Sequence, residues 1–155
     1  MLEFASNYMF GHWDYLHVLD ANNHTSTEFK NKFFRNYFDS SHLPSDEIKS
    51  SAEPVDFKTG DEAFFTIYQS LMTDPYLHPL LAEDLSGLPR TVISSCYYDV
   101  LRDDAYFYAA RLKQAGVKVH HKSLQCIHGW ISGMSLVPQF RTMFQKMLAP
   151  IVKMV

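Results

Sequence analysis

The sequence predicts an α/β fold, and three observations carry that prediction. Two β-prone runs stand at residues 91–95 (Thr-Val-Ile-Ser-Ser) and 117–122 (Val-Lys-Val-His-His-Lys). Between them lies a stretch with helical spacing that opens on Asp103-Asp104 and closes at Gly116. The strand–helix–strand unit takes about 33 residues, the length of a βαβ motif, whose strands run parallel and whose crossover is right-handed.

Each element has a local reason. Residues 13–19 (Trp-Asp-Tyr-Leu-His-Val-Leu) alternate well enough to suggest a short strand, which Asn22-Asn23 breaks. Thr25 with Glu28 fits a capping box, and Phe29, Phe33 and Tyr37 form the apolar face of the helix that follows. Residues 39–88 are rich in Ser, Asp and Pro and read as an insertion or lid. Within them Gly60-Asp61-Glu62 precedes Phe64, Ile67, Tyr68, Leu71 and Met72, one helical stripe. Asp74-Pro75 and His78-Pro79 stop it, because a residue before proline avoids the helical region.

In the βαβ unit, Asp103 and Asp104 suit the positive end of a helix dipole. Ala105, Tyr108, Ala109 and Leu112 line its inner face, and Gly116 suits a left-handed cap. Val117, Val119 and His121 alternate with Lys118, His120 and Lys122 along the second strand. Pro138 starts a last helix bearing Phe140, Phe144, Met147 and Ile151, which Pro150 bends or ends.

Composition removes several classes of function. The 155 residues are 46% hydrophobic, with 12 Phe, 9 Tyr and 2 Trp, too apolar for a disordered chain. Seventeen acidic against 14 basic residues leave a net charge of -3 and no basic patch for nucleic acid. No apolar run reaches the roughly 18 residues of a membrane-spanning helix. Met1-Leu2-Glu3-Phe4 shows neither the basic nor the apolar region of a signal peptide. No glycine array of the dinucleotide or P-loop kind is present, so no cofactor is expected.

In a parallel sheet the chemistry sits beyond the carboxyl ends of the strands. Tyr97-Tyr98-Asp99 follow the first strand, and Gln125-Cys126-Ile127-His128-Gly129-Trp130 follow the second. Topology therefore places an acid, Asp99, beside a histidine, His128. A carboxylate that orients an imidazole is the pairing that activates a serine for attack on an acyl group.

The motifs resemble those of one family. Residues 74–82 (Asp-Pro-Tyr-Leu-His-Pro-Leu-Leu-Ala), residues 98–104 (Tyr-Asp-Val-Leu-Arg-Asp-Asp), Ala115-Gly116-Val117 and His128-Gly129-Trp130 are similar, in order, to the α/β-hydrolases of the hormone-sensitive-lipase type. Asp-Val-Leu-Arg-Asp-Asp looks most like the arylacetamide deacetylase group. The resemblance implies an α/β fold corresponding to the C-terminal part of an α/β-hydrolase, with residues 1–73 as a cap-like and edge-strand region and 74–155 carrying the acid and the histidine. It implies a hydrolase of carboxylic esters, arylamides or acylglycerols, with Asp99 and His128 as catalytic residues and a small apolar acyl substrate. The chain order, acid before histidine, agrees with the serine, acid, histidine order of that fold.

One departure is decisive. No G-x-S-x-G elbow and no H-G-G-G oxyanion loop occurs in the sequence, so no nucleophile is assigned and these residues alone are expected to be inactive. Gly129-Trp130-Ile131-Ser132-Gly133 is a near match with one residue too many before the serine. Gln125-Cys126-Ile127 stands where the family often has an acid. By analogy with the deacetylase group the location is the endoplasmic reticulum lumen, with membrane association through an upstream anchor.

Blander readings stand beside these. His128 could be a loop histidine bonded to backbone, and Asp99 a helix cap. His120 and His121 would point to opposite faces of a strand, and Cys126-Ile127-His128 lacks a partner pair, so no metal is expected. Cys96 and Cys126 come close in such a fold, as paired buried thiols or, in an oxidising compartment, a disulfide. Asn23-His24-Thr25 is a glycosylation sequon. The alternative to an enzyme is a non-catalytic binding module, self-associating through an incomplete sheet edge.

Overall fold

A computed structural model describes residues 2–37, 40–44, 60–133 and 137–152. They form two compact units, Met1–Ser40 with Ser45–Ala82, and Ser41–Pro44 with Glu83–Val155. No helix among the described residues is long and apolar enough to cross a membrane.

The first unit is helical: α1 (Leu2–Phe10), α2 (Leu16–Asp20), α3 (Thr27–Tyr37), α4 (Glu62–Met72) and a 3-10 turn at Pro79–Leu81. Its core is Val18, Phe64, Phe65 and Met72, ringed by Phe10, Tyr15, Phe29 and Tyr68. Tyr15 meets Phe10, Phe64 and Tyr68 edge-on, with centroids 5.1, 5.1 and 5.3 Å away. The Tyr68 hydroxyl donates to the Tyr15 hydroxyl at 2.7 Å. Edge-to-face pairs of this kind add about 0.5–1.5 kcal/mol each beyond the area they bury.

Three expectations change in this unit. Residues 13–19 are not a strand; their last part forms α2. A strand would place Val18 and Leu19 on opposite faces, whereas a helical turn groups them with Tyr15 and buries both. The cap of α3 is Ser26, not Thr25. Ser26 Oγ accepts from the Phe29 amide at 3.0 Å and its carbonyl from the Lys30 amide, while Glu62 of α4 takes the Thr27 amide, the kind of contact expected of Glu28. In α4 the buried stripe uses Phe65 in place of Ile67, which is 71% exposed.

Asp61 caps α4, as its sequence suggests, accepting from the Phe64 amide at 2.8 Å. Gly60 before it passes against the start of α3. A Cβ there would stand 2.4 Å from the Thr27 nitrogen, so only glycine fits. The remainder of the predicted insertion, residues 45–59, lies outside the described residues.

The second unit holds β1 (Thr91–Tyr98), α5 (Arg102–Gln114), β2 (Val119–Ile127), a 3-10 turn (Trp130–Gly133) and α6 (Pro138–Val152). The strands pair in parallel, Thr91 opposite Val119, which is the predicted βαβ unit. Gly116 adopts φ 81°, and the Val117 amide returns to the Leu112 carbonyl, closing α5. Leu112 is fully buried, with Phe107 and Ala109 beside it. Phe107, rather than Tyr108, is the large residue on the covered face.

On the other face Cys96, Leu124, Cys126 and Trp130 pack against Phe140, Met143, Phe144 and Met147. Both strands run further than expected, so Tyr97, Tyr98 and residues 125–127 are strand rather than loop. Pro150 does not end α6, which continues to Val152, and Ile151 is exposed. Proline leaves the carbonyl four residues back without its helical donor. Here that is Lys146, and Lys122 Nζ donates to it at 3.5 Å.

Candidate active site

The carboxyl ends of β1 and β2 come together through an irregularity in their ladder. Cys96 stands opposite Leu124, but Tyr98 stands opposite Ile127. Two residues on β1 thus match three on β2, a bulge. Side chains alternate along a strand, so one extra residue turns everything after it to the other face. The next residue on β1 is Asp99 and the next on β2 is His128.

Both Asp99 oxygens face His128 Nδ1, Oδ2 at 3.0 Å and Oδ1 at 3.1 Å. An ionised carboxylate can only accept, so Nδ1 carries the proton and Nε2 keeps its lone pair. The acid side chain is 12% exposed and the imidazole 56%. Nε2 has no partner among the described residues. Gly129, at φ 71°, turns the chain immediately after His128.

Asp99 is itself held. Its Oδ1 accepts from the Leu101 amide at 2.9 Å and its carbonyl from the Arg102 amide at 3.1 Å. Arg102 Nη1 donates to the Tyr97 carbonyl at 3.2 Å, its Nε donates to Asp103 at 2.7 Å, and its guanidinium lies over the Tyr97 ring. Sequence reasoning passed over Arg102 and Tyr97. The signal was available in Asp99-Val100-Leu101-Arg102-Asp103, whose arginine has this bracing task. A cavity of about 310 Å³ opens here, lined by Asp99, His128, Cys96, Trp130 and Met147 among others.

The other titratable residues fall into place around this pair. His121 faces α5, with Nε2 2.9 Å from Ser95 Oγ and its ring 4.4 Å from that of Tyr106. Burial, then Lys113 and His120, hold its pKa below the usual histidine value. His120 is exposed. Among the described residues no three His, Cys, Asp or Glu side chains are grouped to hold a metal. Cys96 and Cys126 are both buried and unbonded, with sulfurs 2.7 Å apart. Burial first, then the contact with Cys96, pushes the Cys126 thiol up to about 12.

Comparison with known proteins adds the wider context. Residues 39–132 match the model of a family described as alpha/beta hydrolase fold. Neutral cholesterol ester hydrolase 1 of Mus musculus is 35% identical over 122 residues, which are 77% of this chain and 30% of that protein. Arylacetamide deacetylase of Oryctolagus cuniculus is 39% identical over 105 residues, 61% of this chain and 26% of the relative. The chain thus spans less than a third of the length of these relatives. A hyperthermophilic esterase from Pyrobaculum calidifontis superposes with a TM-score of 0.50 at 23% identity, covering 85% of this chain and 40% of that one, a likeness of fold.

Proposed function

The chain belongs to the α/β-hydrolase fold family, and from that premise we propose that it contributes the acid and the histidine of a Ser-Asp-His triad in a carboxylic ester hydrolase. The observation that carries this reading is the bridge from both Asp99 oxygens to His128 Nδ1. Asp99 holds the ring in the tautomer whose Nε2 is free to accept a proton. That nitrogen takes the proton of a serine hydroxyl as the oxygen attacks the ester carbonyl. The imidazolium, steadied by Asp99, passes the proton to the departing alcohol. Water, deprotonated by the same nitrogen, then cleaves the acyl-enzyme.

The serine and its oxyanion donors come from polypeptide outside these 155 residues, which hold neither G-x-S-x-G nor H-G-G-G. The substrate is a small apolar ester, arylamide or acylglycerol, in keeping with the names of the ester hydrolase and deacetylase relatives. The proposed location is the endoplasmic reticulum lumen.

The test is a polypeptide in which these residues follow a segment bearing both missing motifs. Its hydrolysis of p-nitrophenyl acetate falls about 10³-fold or more in His128→Ala. The 155 residues alone give no His128-dependent turnover. Full activity of the longer polypeptide without the histidine overturns the assignment.

A second reading, a binding module without catalysis, is favoured by apolar residues exposed at the strand ends. Tyr98 is 65% exposed and Ile127 60%. Self-association through the sheet edge would follow. A monomer in sizing chromatography across a wide concentration range removes it.

A further inference from the structure

Cys96 and Cys126 lie on neighbouring parallel strands, on the face that α6 covers, and both are buried. Their sulfurs are 2.7 Å apart. That is well inside van der Waals contact and within about 0.7 Å of a disulfide bond. Of the two, Cys96 lines the 310 Å³ cavity that also holds Asp99 and His128, and Cys126 does not. A small molecule in the cavity reaches one thiol and finds the second in position to displace it.

We propose that Cys96 and Cys126 are a disulfide-forming site that ties the ends of β1 and β2 behind the Asp99–His128 pair, made by exchange with a small-molecule disulfide in the cavity. The Cys96 sulfur, having lost its proton, attacks one sulfur of the reagent. A mixed disulfide forms, and the first small thiolate leaves and takes up that proton. The Cys126 sulfur then attacks Cys96 Sγ, and the second small thiolate leaves with the Cys126 proton. Two protein thiols are oxidised and one small disulfide is reduced to two thiols. Burial disfavours the Cys126 thiolate, so the second step is the slower. The bond stands three residues before Asp99 and two before His128, so it holds acid and imidazole together when the strand ends fray. It forms whether or not the pair serves hydrolysis.

The experiment exposes the reduced 155-residue chain to oxidised glutathione and reads intact mass and peptide maps. The expected product is a monomer lighter by two hydrogens, with the Cys96 and Cys126 peptides joined. Its thermal midpoint rises by about 5 °C or more. Cys126→Ser stops at one glutathione adduct on Cys96, and Cys96→Ser gains no adduct in the same time. Adducts on both cysteines without a bond, a bond between two chains, or bonding no faster in native buffer than in concentrated guanidinium overturns the proposal.

Discussion

Tyr98 stands opposite Ile127, one residue further along β2 than the pairing of Cys96 with Leu124 leads to. The extra residue of this bulge is what aligns His128 with Asp99. An even ladder would set Tyr98 against Cys126, leaving Ile127 beside the acid and the imidazole a step beyond it, facing away.

Deleting Gln125 evens the ladder with Tyr98 still opposite Ile127 and Asp99 still opposite His128, and turns Cys126 to the face away from Cys96, which tests that relationship. The contact between Asp99 and His128 is expected to persist while that between the Cys96 and Cys126 sulfurs is lost, at a stability cost of about 1–3 kcal/mol from the repacked strand. A crystal structure of the variant with Asp99 and His128 parted would show that the strand register does not decide their meeting.

Asp99→Asn acts on the tautomer. Both carboxylate oxygens accept from Nδ1, which fixes the ring in one tautomer. An amide can donate as readily as accept, so the ring loses its single tautomer. Nitrogen-15 spectra of His128 are expected to change from one tautomer to a mixture. In the longer, nucleophile-bearing polypeptide turnover falls about 10³–10⁴-fold. Unchanged nitrogen shifts would remove Asp99 as the orienting group.

Arg102 braces the acid loop from below. Its side chain is mostly buried, and it joins the Tyr97 carbonyl, the Tyr97 ring and Asp103. Arg102→Ala is expected to cost about 2 kcal/mol in urea unfolding, the range for buried hydrogen bonds from a charged donor. Arg102→Lys recovers only part of this, because an ammonium lacks the planar fork. Loss below about 0.5 kcal/mol in the alanine variant would mean that the guanidinium is ornamental.

His24 makes the helical unit sensitive to acid. Burial, then the charges of Lys30 and His78, lowers its pKa from 6.5 to about 4. The unfolded chain takes up this proton as pH falls through 6.5, the folded chain only near 4. Protonation in that window therefore favours unfolding, so the stability is whole above pH 6.5 and drains away down to about 4. The loss is about 2–3 kcal/mol from this group. His78, also held below the usual value, adds to it in the same direction, and His121 acts likewise in the other unit. Urea midpoints at pH 7.5 and 4.5 measure the difference, and His24→Asn should shrink it.

Wherever a local rule decided the structure, the sequence by itself sufficed. Asp61 before an apolar stripe, Gly116 after one, and Pro138 at the head of another each mark a helix end through groups within a few residues. The βαβ unit and the spacing of Asp99 and His128 follow from such marks in order. Long-range packing decided the rest. Val18 takes a helical turn that seats it in the aromatic core, and the same turn buries Leu19. Glu62 reaches across 35 residues to help start α3, and Lys122 answers the carbonyl that Pro150 leaves free. The bulge before Ile127 is of this kind. A strand's own residues fix its alternation, but how many of them stand against the neighbouring strand depends on the pairing of two segments. Only that pairing brought the acid to the histidine.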